Sequence, residues 1–218
     1  IREKAIYSLE RGKTSYTSNS GLLELRQEIS NYMQRTINVR YDPKTQVLVT
    51  VGASEGIDLA FRTLIDPGDE VIIPEPSFVC YKPSVELAGG VPVVLETKAE
   101  NEFKIMPYEL EEKITPKTKI FLLPYPNNPT GAIMEKDELK ALVDVLEDKD
   151  IIVVSDEIYS ELTYGGKKHC SIASFEQMTD RTVVLNGFSK SYAMTGWRLG
   201  YACGPAPILS AMTKVHQY

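Results

Sequence analysis

Histidine is nearly missing from this chain, with His169 and His216 the only two in 218 residues. A histidine-rich metal site or a nucleophile–histidine–acid triad is therefore not expected. Cysteine is scarce too. Cys80, Cys170 and Cys203 are scattered, with neither metal-ligand spacing nor a disulfide framework, so a reducing cytoplasm is the expected compartment. No run of about 18 apolar residues occurs, so no spanning helix is expected. No signal peptide stands at the start. Positive charge is short: 24 Lys and Arg against 30 Asp and Glu leave a net charge of −6, which argues against nucleic-acid binding by bulk electrostatics. Repeats, low-complexity tracts and dividing linkers are absent as well.

What is present is an ordinary apolar fraction of 43%, enough for the core of one large domain. The chain opens at Ile1 rather than methionine and stops at Tyr218 inside an expected helix from Ala206, so it reads as a piece of a longer protein.

Apolar residues at helical spacing mark Gly21 to Asn38. Short apolar runs at 46–51, 70–73, 91–95, 119–123, 151–154 and 182–185 read as strands. Between them lie helical stretches from Gly52 to near Ile65, Val79 to Ala88, Pro107 to Ile114 and Glu135 to Leu146. Strands alternating with helices predict a three-layer αβα domain with a mostly parallel sheet. The last two strands, near 182–186 and 199–203, are joined by only about a dozen turn-rich residues, too few for a usual crossover helix. One antiparallel strand is therefore expected there.

The most informative stretch is Asn186-Gly187-Phe188-Ser189-Lys190, with Arg198 eight residues beyond the lysine. Lys190 follows a buried strand, where ligands of open α/β sheets bind. A lysine amine in a dry site forms a Schiff base with a carbonyl, and an arginine fork grips phosphate. A cofactor with both an aldehyde and a phosphate is pyridoxal phosphate. Alone, Lys190 is more simply a solvated surface lysine. Three further motifs shift the balance. Gly52-Ala53-Ser54-Glu55-Gly56 joins a strand to a helix, whose free N–H groups and dipole favour a phosphate. Its plain alternative is an N-cap by Ser54. Glu55 is awkward beside a phosphate and is expected to point away, or to leave the phosphate to backbone donors and Arg198. Asp156 ends a strand, and a buried carboxylate there needs a cation, which a protonated pyridine nitrogen supplies. Tyr159 and Asn128 offer hydrogen-bonding groups for the ring's phenolic oxygen, against the plainer roles of a core aromatic and a turn residue. Phe78 offers a face for ring stacking or for ordinary packing.

These residues carry a resemblance. Tyr16-Thr17, Gly21, Leu25-Arg26, Gly52-Ala53-Ser54-Glu55, Pro124 to Gly131, Ser155-Asp156-Glu157-Ile158-Tyr159 and Ser189 to Tyr201 match, in order and spacing, the fold-type-I pyridoxal-phosphate enzymes, specifically class I/II aminotransferases. The resemblance covers essentially all of residues 1–218 and implies the large, cofactor-binding domain, with the N-terminal segment and the C-terminal small domain absent. It implies that Lys190 is the Schiff-base lysine and proton carrier. Asp156 would pair with the pyridine nitrogen, Tyr159 and Asn128 with the ring oxygen, and Phe78 with the ring face. Ala53, Ser54, Glu55 and Arg198 would surround the phosphate. Tyr16 resembles the tyrosine such homodimers lend to the neighbouring subunit. The implied partners are an amino acid and a 2-oxo acid, with no metal, nucleic acid or membrane.

Two departures stand out. Many relatives carry serine where this chain has Gly187, so a phosphate hydroxyl is missing or Ser189 replaces it. Many aspartate-type relatives have tryptophan in place of Phe78. The alternatives are elimination chemistry on the same scaffold, a cofactor-sensing regulator domain, or a domain that binds cofactor without turnover. The segments Ser155 to Tyr164 and Lys214 to Tyr218 are most similar to N-acetyl-diaminopimelate aminotransferases.

Overall fold

The computed structural model describes residues 1–218. Their strands are β1 (Val47–Thr50), β2 (Glu70–Glu75), β3 (Val91–Glu96), β4 (Thr118–Leu123), β5 (Ile152–Asp156), β6 (Thr182–Gly187) and β7 (Gly200–Cys203). The helices are α1 (Arg2–Glu10), α2 (Leu23–Ile37), α3 (Gly52–Leu64), α4 (Tyr81–Leu87), α5 (Pro107–Lys113), α6 (Lys136–Leu146), the short α7 (Glu176–Thr179) and α8 (Ala206–His216). No helix is long and apolar enough to cross a membrane.

The seven strands form one sheet in the order β1-β7-β6-β5-β4-β2-β3. The expected antiparallel strand is β7, which runs against both β1 and β6, while β2 to β6 pair in parallel. The link between β6 and β7 holds only a 3-10 turn, Thr195–Trp197, so the chain has no helix to carry it back to the start of the sheet.

Successive side chains alternate between the two sheet faces. Val71, Ile73, Ile120, Leu122, Val154, Val183, Leu185 and Ala202 pack under α3, α4 and α8. Ile72, Phe121, Leu123 and Val153 pack under α5 and α6, and Val47, Val184, Tyr201 and Cys203 pack under α2. Both faces are covered, which is why the strands read as unbroken apolar runs. Removing a buried ring such as Phe61 or Phe121 would cost about 3–5 kcal/mol.

Arg26 is a buried part of this framework. Its guanidinium donates to the carbonyls of Gly21, Pro43 and Lys44 and ties α2 to the segment that enters β1. The helix α1 lies outside the sequence expectation. It buries none of its residues, so it carries no apolar stripe to read.

Candidate functional site

The carboxyl ends of the parallel strands open onto one cavity of about 260 Å³. Its wall includes Ala53, Ser54, Phe78, Asn128, Asp156, Tyr159, Ser189, Lys190 and Arg198, nine residues drawn from five separate loops and strand ends. They lie up to 145 positions apart in sequence and converge because every one follows a strand at the same edge of the sheet.

At the floor, Asp156 is the last residue of β5 and is buried. Its Oδ2 accepts a 2.9 Å hydrogen bond from the Tyr81 hydroxyl, and its Oδ1 accepts the Ile158 N–H at 3.2 Å. Burial raises its pKa to about 6, against the lowering effect of those two donors, with the neighbouring Glu157 charge adding to the rise. The carboxylate therefore lacks a cation, as a site for a protonated ring nitrogen requires.

Glu157 faces the other way and is fully satisfied. It accepts from Ser155 Oγ at 3.0 Å and Ser171 Oγ at 2.5 Å, and His169 Nε2 stands 2.7 Å from its second oxygen. One of the two histidines is thus spent on fixing the end of β5.

On one wall, Asn128 Nδ2 donates to the Tyr159 hydroxyl over 3.4 Å, so the two polar groups expected to meet one ligand oxygen do converge. Lys190 Nζ lies 5.4 Å from the Tyr159 ring centroid. Lys190 is solvent-exposed. The expectation of a dry lysine is therefore corrected, because these residues leave the cavity mouth open above it. Phe78 meets Tyr81 edge to face, with centroids 5.9 Å apart, and is 39% exposed, free to present its ring to a ligand.

The other end of the cavity is built by α3 and Arg198. Gly52 adopts φ +77, and a Cβ there would meet Arg198 Nη2 at 2.5 Å. The guanidinium thus lies against the first turn of α3, held by its own bond to the Thr195 carbonyl at 3.0 Å. Helix N-termini present unpaired N–H groups, so a guanidinium beside one makes a place for an anion.

Two expectations need correction. Ser54 does not cap the helix; the capping position is Val51, without a side-chain cap bond, because the helix begins at Gly52 and takes the whole motif into its first turn. Glu55 does not line the cavity. Its Oε2 accepts the Val51 N–H at 2.5 Å and its Oε1 stands 3.0 Å from His216 Nδ1, so the carboxylate points away. Tyr16, expected to serve a neighbouring subunit, is fully exposed and does not line this chain's own cavity.

Gly187 has a backbone reason. A Cβ there would stand 2.9 Å from both Gly200 Cα and the Leu199 carbonyl oxygen, leaving no room for a serine without moving β7. Ser189, buried, lines the cavity two residues on.

Tyr81 and Thr195 line the cavity and were not singled out by sequence. Tyr81 is the first residue of α4 and reaches Asp156 only through the fold, so nothing in the local spacing singles it out. No group of three or more His, Cys, Asp or Glu side chains is arranged to hold a metal ion.

Comparison with known proteins places the arrangement among relatives. A family model described as aminotransferase class I and II matches residues 1–218. A putative aminotransferase (YugH) of Bacillus subtilis is 49% identical over the whole chain, which spans 56% of that protein. A probable N-acetyl-LL-diaminopimelate aminotransferase of the same organism is 44% identical, again over the whole chain and 54% of its own length. The solved structure of an aromatic aminotransferase from Pyrococcus horikoshii superposes with a TM-score of 0.97 at 41% identity, covering 100% of this chain and 58% of that one. The chain thus spans about half the length of the curated relatives it matches.

Proposed function

The chain belongs to the aminotransferase class I and II family, and from that premise we propose that it is the cofactor-binding domain of a pyridoxal-phosphate-dependent aminotransferase acting on an amino acid and a 2-oxo acid. The observation that carries the reading is the placement of Asp156, Lys190 and Arg198 around one cavity, with the buried Asp156 carboxylate lacking a cation. Relatives named for different substrates match at similar identity, 44% and 41% in the two cases above. Similarity therefore supports the reaction class without selecting the amino acid.

The donor set fits the cofactor. Asp156 suits its ring nitrogen, Asn128 and Tyr159 its phenolic oxygen, and Phe78 its ring face. The first turn of α3, with Ala53 and Ser54, suits its phosphate together with Ser189 and Arg198. When bound, pyridoxal phosphate supplies an aldehyde that condenses with amines and a ring that takes up the electron pair left when a Cα–H bond breaks.

The protein's own residues do the rest. Asp156, buried and fixed by Tyr81 and Ile158 N–H, holds a proton at the ring nitrogen. Lys190 Nζ is the base that takes the substrate's Cα proton and the acid that returns it. The Tyr159 hydroxyl and Asn128 amide orient the ring by its oxygen. Arg198, fixed by Thr195, neutralises phosphate charge.

The protein acts as a homodimer in the cytoplasm. The exposure of Tyr16, together with the absence of any buried residue on α1, supports a partner surface at the N-terminal end. Three free cysteines support a reducing compartment.

The test is incubation with pyridoxal phosphate, borohydride reduction and peptide mapping. The expected result is a label on Lys190, with amino-group transfer from an amino acid to a 2-oxo acid in the untreated protein. Label spread over surface lysines, at the level found with a denatured control, overturns the proposal.

A further inference from the structure

The resemblance puts Glu55 around the phosphate, yet its carboxylate turns out of the cavity and spans two other elements. Oε2 accepts the Val51 N–H at 2.5 Å, across the bend between β1 and α3. Oε1 stands 3.0 Å from Nδ1 of His216, in the last turn of α8. Both side chains are shielded, at 27% and 18% exposure. A second clamp lies on the same bend, where the Thr50 hydroxyl donates to the Gly52 carbonyl at 2.8 Å.

We propose that Glu55 is a positioning residue that fixes the first turn of α3 in the shape that receives the cofactor's phosphate, and that His216 holds Glu55 in place. The proposal rests on the reading of the cavity as a pyridoxal-phosphate site.

Gly52 sits at φ +77 between an extended strand and a helix, a junction with little steric preference of its own. Its shape is therefore set by the bonds across it. The Glu55 carboxylate occupies the Val51 donor, so the donors that remain unpaired at the helix start are those of the first turn beside Arg198. A negative charge in that turn also suits the helix dipole, provided it does not face the phosphate. His216 Nδ1 holds the second oxygen on the far side, which keeps the carboxylate turned away. Each histidine of the chain thus serves a glutamate, His169 at the end of β5 and His216 at the start of α3.

The experiment compares dissociation constants for pyridoxal phosphate and for pyridoxal, which lacks the phosphate, in the wild-type protein and in Glu55→Gln, Glu55→Ala and Glu55→Asp. Glutamine keeps the acceptor for Val51 and loses the charge. Alanine loses both, so the difference between these two isolates the positioning. Glu55→Ala is expected to bind pyridoxal phosphate on the order of tenfold more weakly than Glu55→Gln, with pyridoxal affinity alike in the two. Glu55→Asp retains the charge but is one methylene short of Val51, and weakens pyridoxal phosphate binding in the same selective way. It decides the matter if Glu55→Ala does not fold. Adding His216→Ala to Glu55→Ala brings no further loss, whereas His216→Ala alone weakens phosphate-dependent binding. Equal preference for the phosphorylated ligand in the glutamine, alanine and aspartate variants overturns the role of Glu55, as does an equal loss for both ligands. A wild-type protein that fails to prefer pyridoxal phosphate over pyridoxal overturns the cavity reading itself.

Discussion

The Tyr81 hydroxyl donates a 2.9 Å hydrogen bond to Asp156 Oδ2 inside the candidate site, and it is the one side chain that does so. Tyr81 is itself buried, and its ring meets Phe78 edge to face. The pair joins the start of α4 to the end of β5. It also lowers the pKa of a carboxyl that burial pushes up. Tyr81→Phe is expected to move the Asp156 titration above its value of about 6 in the cofactor-free protein. Carbon-13 NMR of the Asp156 carboxyl reads this directly, and an unchanged midpoint would refute it.

Asp156 also makes cofactor-free stability depend on pH. Its folded pKa of about 6 lies above the ordinary 3.8, so the folded state holds the proton more tightly than the unfolded state. The contribution of Asp156 to stability is then fully present below about pH 4 and is lost as pH rises through about 6, by roughly 3 kcal/mol for a shift of this size. Asp156→Asn removes that slope. Denaturant titrations at several pH values check it, with parallel curves for both proteins counting against the assignment. On the proposed function, the same variant is expected to lower the rate of amino-group transfer by at least about a hundredfold, since a bound ring nitrogen would lose its counter-charge.

Lys190→Ala removes the only amine that the cavity wall contributes. Borohydride is then expected to fix no pyridoxal phosphate at position 190, and transamination to fall by several orders of magnitude. A small added amine would restore part of the rate if proton transfer is what was lost.

Gly187→Ser inserts a side chain 2.9 Å from Gly200 Cα and the Leu199 carbonyl. The strands must separate, at an expected cost of about 1–3 kcal/mol. A denaturation midpoint equal to the wild type's would mean that β7 shifts freely.

Much of this architecture was legible in the chain. The strands at 70–75, 118–123 and 182–187 announce themselves as apolar runs, because a sheet covered on both faces needs apolar side chains on both. The short, turn-rich link after Lys190 foretold the antiparallel β7. Lys190, Asp156, Asn128, Tyr159 and Arg198 each follow a strand, and a parallel sheet brings all its carboxyl ends to one edge. The short helix α1, with no apolar face turned inward, left no periodic trace.

By itself, then, the chain determined the order of elements, the edge on which chemistry collects and the residue types that gather there. These follow from local periodicity and chain connectivity. The tertiary structure alone decided which way each side chain turns. Glu55 leaves the cavity because the Val51 N–H takes one of its oxygens and His216 the other. Tyr81 enters it because α4 begins within reach of Asp156. Gly187 stays bare because Gly200 and Leu199 lie against it. Each of these depends on contacts between residues 4 to 161 positions apart, distances in space that no spacing along the chain encodes.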